Sequence, residues 1–74
     1  MKVTIYLKTD SGWQPSVFYE FTDTEFERLQ NDFQQYTKTG SPKTGIYLRD
    51  SNHPDRTNTV ILNFEHIAVI EAEQ

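Results

Sequence analysis

The chain has 74 residues and no cysteine, so neither a disulfide nor a thiolate metal site can supplement its core. Eleven Asp and Glu against seven Lys and Arg leave a net charge of −4. The positive residues (Lys2, Lys8, Arg28, Lys38, Lys43, Arg49 and Arg56) are scattered, which disfavours a phosphate-backbone partner.

No apolar run approaches a membrane span, and the N-terminus enters a strand-like pattern without a signal-peptide core. These features predict a soluble, cytoplasmic protein forming one domain over residues 1–74. Only 35% of residues are hydrophobic while 14% are aromatic, so the rings must carry much of the core.

Residues 2–8 alternate. Val3, Ile5 and Leu7 point one way, and Lys2, Thr4, Tyr6 and Lys8 the other, as in a half-buried strand. Thr9-Asp10-Ser11-Gly12 is turn chemistry. A hairpin that pairs Thr9 with Trp13 sets Ile5 opposite Val17 and Lys2 opposite Glu20, matching apolar to apolar and plus to minus. Pro15 cannot donate to a ladder, so the second strand begins after it, or a bulge or an edge lies there. Trp13 is read as a ring packed at the hairpin end. Residues 16–21 then place Val17, Tyr19 and Phe21 toward the core, with Phe18 and Glu20 on the far side.

The one helix signal begins at Phe21. Thr22 and Glu25 fit a capping box, and Phe21 and Phe26 fit a hydrophobic staple. Phe26, Leu29, Phe33 and Tyr36 share one face, so the helix must bury that stripe against a sheet. Glu25, Glu27, Arg28 and Asp32 read as a solvated face with one Glu25–Arg28 pair. Gly40 suits a left-handed stop, and Pro42 prevents continuation.

After a polar connector, residues 45–49 form a third strand with Ile46 and Leu48 inward and Tyr47 outward. Residues 50–58 are a polar loop. Residues 59–64 form a fourth strand with Val60, Leu62 and Phe64 on one side and Ile61 on the other. Asn63-Phe64-Glu65-His66 reads as a tight corner. Residues 67–72 form a fifth strand, apolar enough to suggest cover on both faces.

The predicted class is α+β: an antiparallel, twisted sheet of about five strands with one helix, in the order β-β-α-β-β-β. The alternative is a small half-open barrel with the helix at one end.

The leading functional candidate is the second face of that sheet. It would carry Tyr6, Phe18, Tyr47, Ile61, Ala68 and Ile70, and one helix cannot cover both faces. Contiguous exposed apolar area marks a contact surface. The prediction is a small interaction module that self-associates, most simply as a dimer, or binds another protein. No catalytic activity, cofactor, metal or membrane partner is expected. The alternative is a single-stranded nucleic-acid-binding or regulatory protein that stacks bases on the same rings, which the acidic balance disfavours.

Two further clusters are weaker. Asp50, His53 and Asp55 with Arg56 could hold a metal or an anion, but Ser-Asn-His-Pro-Asp is also ordinary turn chemistry. His66 beside Glu65 could act as a base, yet neighbouring strand residues point apart and no nucleophile motif accompanies them.

Overall fold

The computed structural model describes residues 1–10, 16–49 and 59–73. Ser11 and Gly12 of the predicted Thr9–Gly12 turn, Trp13 and Pro15, and the loop carrying Asp50, His53, Asp55 and Arg56 lie outside them. Within the described residues the elements are β1 (Lys2–Leu7), β2 (Ser16–Glu20), α1 (Asp23–Thr39), β3 (Thr44–Leu48), β4 (Thr59–Asn63), a 3-10 turn at Phe64–His66 and β5 (Ile67–Glu73). The class is α+β with antiparallel sheets, in the predicted order.

The strands divide between two sheets rather than joining in one. β2-β1-β5 form a three-stranded sheet and β3-β4 a two-stranded ribbon. A single bridge between Phe21 and Arg49 links β2 to β3, so no barrel closes among the described residues.

The first hairpin has the predicted register, with Ile5 opposite Val17 and Lys2 opposite Glu20. Charge and hydrophobicity agree at both pairs, and a slip of one residue would reverse every side chain. Phe21 extends this ladder by donating its N–H to the Met1 carbonyl at 3.1 Å.

The helix starts where its cap predicts. The Thr22 hydroxyl accepts from the Glu25 N–H at 3.2 Å. At the other end Gly40 takes φ 80 and donates its N–H to the Tyr36 carbonyl at 2.8 Å. Leu29 is fully buried, while Phe26, Phe33 and Tyr36 are half-buried against the core.

That core consists of Val3, Ile5, Phe21, Leu29, Tyr47, Val60, Leu62, Phe64 and Ile67. Phe64 ties the helix stripe to it. Its ring meets Phe33 at 5.6 Å and Tyr36 at 5.9 Å between centroids, while Phe21 meets Tyr47 edge-on at 6.4 Å. The predicted corner is the 3-10 turn, capped by the Asn63 side chain, which accepts from the Glu65 N–H at 3.0 Å.

Two strand faces differ from expectation. In β3 the phase is reversed: Tyr47 is buried, and Ile46 and Leu48 are exposed. Alternation shows only that the two sets separate; which set turns inward depends on what each meets. Here the Tyr47 ring lies across side-chain-free Gly45, and its hydroxyl donates to Asp32 Oδ2 on the helix at 2.7 Å.

The second difference concerns β5. It is not covered on both faces, since Val69 is exposed. A register shift between Tyr6 and Leu7 leaves Ala68 as the extra residue, with Ile67 opposite Leu7, Val69 opposite Tyr6 and Ile70 opposite Ile5. A bulge therefore returns both Ile67 and Ile70 to the core side, and this accounts for the apolar run.

Candidate functional site

The six residues expected to share one surface separate into several environments. Phe18, 74% exposed, and half-buried Tyr6 stand on the outer face of the three-stranded sheet. Ile61, 69% exposed, stands on the ribbon. Ala68 sits at the β5 bulge. Tyr47 and Ile70 are corrections to the expectation: Tyr47 is fully buried under the helix, and Ile70 packs against the core.

The outer face of the three-stranded sheet is polar around its ring. Its cross-strand rows read Glu20–Lys2–Glu73, Phe18–Thr4–Glu71 and Ser16–Tyr6–Val69. The Tyr6 hydroxyl donates to Glu71 Oε2 at 3.3 Å, and the Glu71 charge raises the Tyr6 phenol above its ordinary value. A nucleobase stacked on Phe18 would bring its phosphates toward these carboxylates, an unfavourable field for that ligand.

The ribbon presents the larger aliphatic face. Ile46 pairs directly with Ile61, and Leu48 stands two residues along on the same side. Ile46 and Leu48 are each 59% exposed. Sequence reasoning missed these two by treating them as core. The available signal was Gly45, which shares a face with Tyr47 and leaves room for a large ring there.

A polar knot on the helix fixes this arrangement. Glu25 is buried, contrary to its reading as a solvated residue. Its Oε1 accepts the Leu48 N–H at 2.9 Å, and its Oε2 accepts from Arg28 Nη1. Arg28 Nη2 also reaches the Ile46 carbonyl at 3.5 Å, and its guanidinium lies 5.5 Å from the centre of the Tyr47 ring. The Glu25 carboxylate thus leaves the reciprocal half of the capping box to hold β3. Burial, followed by the bond to Asp32, pushes the Tyr47 phenol up, so it remains a neutral donor.

The knot predicts an acid dependence. The Arg28 hydrogen bond first, and then the Leu48 N–H, hold the Glu25 carboxyl below its ordinary 4.5. A depressed native pKa stabilises the fold above the unfolded value, and that contribution is lost as pH falls through the native pKa. Urea midpoints between neutral pH and about pH 3 should therefore fall less steeply for Glu25→Gln than for wild type. Equal slopes would remove Glu25 as the source.

Beside the ribbon, Leu7, Val17, Tyr19, Ile61 and Ile67 line an open apolar cleft of about 200 Å³, with Asn63 and His66 at its polar margin. This is below the roughly 300–1,000 Å³ of ordinary small-molecule pockets. His66 is exposed; its carbonyl accepts from the Lys8 N–H at 2.8 Å, while Glu65 pairs with Lys43 at 3.5 Å. No group of three or more potential metal-ligating side chains forms among the described residues. No helix among them is long and apolar enough to cross a membrane. Comparisons with protein-family models, curated proteins and solved structures find no match.

Proposed function

We infer that the chain is a small, non-catalytic interaction module that associates with a second copy of itself through the outer face of the β3–β4 ribbon. The observation that carries this reading is the exposed aliphatic set Ile46, Leu48 and Ile61, adjacent by register on a face opposite the helix. Aliphatic side chains gathered on a strand face favour burial against a complementary apolar surface. A two-fold pair is the simplest assembly that brings such a set against its own copy. The carboxylates around Phe18 support a protein partner over a nucleic acid.

Ile61→Lys tests this reading. At a position already open to water the change should alter monomer stability by no more than about 0.5 kcal/mol. In an assembled pair it would bury an unpaired charge and separate the copies. Light scattering should give an oligomer for wild type and a folded monomer for the variant. A wild type that remains monomeric at high concentration would overturn the reading.

A further inference from the structure

We propose that the two copies join edge to edge through β4, pairing antiparallel about Ile61 to make a four-stranded sheet. The inference rests on the self-association reading above and specifies its geometry.

The backbone hydrogen-bond pattern carries the argument. The Leu48 N–H is given to Glu25 and the Ile46 carbonyl is used by Arg28, so these groups turn away from β4. In an antiparallel pair, opposite residues either exchange both backbone bonds or neither. Leu48↔Thr59, Ile46↔Ile61 and Thr44↔Asn63 are therefore the non-bonded pairs, and Tyr47↔Val60 and Gly45↔Leu62 the bonded ones. The bond from the Phe64 N–H to the Lys43 carbonyl at 2.8 Å falls on the same alternation. It follows that the N–H and C=O groups of Thr59, Ile61 and Asn63 point outward along the edge of β4 that pairs with no strand among the described residues.

The other outer edges are guarded in ways that discourage strand addition. β3 has its edge groups taken by Glu25 and Arg28. β5 carries Glu71 and Glu73. β2 runs into the bridge with Arg49. β4, Thr-Val-Ile-Leu-Asn, has no charge and no proline.

A second copy fits this edge specifically. A two-fold axis at Ile61 sets Ile61 against its equivalent and Thr59 against Asn63, so no like charges meet in a chain of net charge −4. The same operation runs Ile46 and Ile61 of one copy into Ile61 and Ile46 of the other as one aliphatic stripe. It also brings the half-buried Leu7, Val17 and Tyr19 beside the joint, where the partner covers their cleft. Edge pairing supplies main-chain hydrogen bonds, and the contact of Ile61 with its equivalent supplies apolar burial.

Amide hydrogen exchange measured across a concentration series tests the geometry. The Val60 and Leu62 amides, bonded to β3, should be protected at every concentration. The Thr59 and Ile61 amides should slow by tenfold or more as the oligomer forms. Thr59→Pro removes one edge donor and no apolar side chain, and should weaken association at least tenfold in a folded protein.

If the wild type associates and Ile61→Lys separates it while the Thr59 and Ile61 amides keep their monomer rates, the edge geometry is wrong and the face reading survives. If the wild type never associates, both fall.

Discussion

Phe64→Ala should lower the unfolding free energy by about 3–5 kcal/mol, the usual range for truncating a fully buried aromatic ring. Phe64 is completely buried and packs against Phe33 and Tyr36 of the helix. Its backbone also starts the 3-10 turn and donates to the Lys43 carbonyl. Removing the ring therefore loosens the helix, the ribbon and the turn into β5 together.

At about 0.05–0.15 kcal/mol per residue, a 74-residue chain has roughly 4–11 kcal/mol of stability to lose. The variant should be largely unfolded at the low end of that range and show a strongly reduced urea midpoint at the high end. Phe18→Ala is the control. It removes an equal ring from a position 74% exposed and should shift stability by no more than about 0.5 kcal/mol. Comparable losses for the two variants would show that the Phe64 ring does not hold the helix to the core.

The contrast between these two phenylalanines was legible in the sequence. Phe18 falls on the far side of an alternating strand whose register is fixed by the match of Ile5 with Val17 and Lys2 with Glu20. Phe64 falls in phase with Val60 and Leu62. Local rules also located the helix. The Thr22 hydroxyl and the Gly40 backbone each satisfy a helix-end group within one turn, so both signals are local.

The rest depended on contacts across the chain. The apolar run at Ile67–Ile70 suggested a strand covered on both faces, but a bulge at Ala68 explains it, and bulges leave no composition signal here. Glu25 looked like half of a capping box and an exposed ion pair. Its partner at Leu48 lies 23 residues away and becomes available only once β3 docks on the helix. The same docking decided the phase of β3. Without Asp32 to receive its hydroxyl, a buried Tyr47 would be an unfavourable choice beside Ile46 and Leu48. The candidate site inherits that misreading, because Ile46 and Leu48, expected in the core, join Ile61 on the exposed face.

Gly45→Ala tests whether the Tyr47 ring sets this phase. A Cβ on Gly45 would fall 2.6 Å from Cε2 and Cζ of Tyr47, and closer still to its hydroxyl oxygen. An exposed tyrosine could swing aside. This ring is held by burial, by the bond from its hydroxyl to Asp32, by the edge of Phe21 and by the Arg28 guanidinium, so the clash must displace one of them. Overpacking of this kind costs about 1–3 kcal/mol. The two side chains share one space, so the cost should be non-additive with loss of the ring. In a Tyr47→Leu background, itself less stable, Gly45→Ala should cost under about 0.5 kcal/mol. Urea titrations of the four proteins close the cycle. An equal cost of Gly45→Ala in both backgrounds would mean that the added methyl acts on the strand backbone and that the ring does not depend on Gly45. A coupling of 1 kcal/mol or more, roughly the size expected of residues in contact, would tie the exposure of Ile46 and Leu48 to the one side chain that takes the inward place between them.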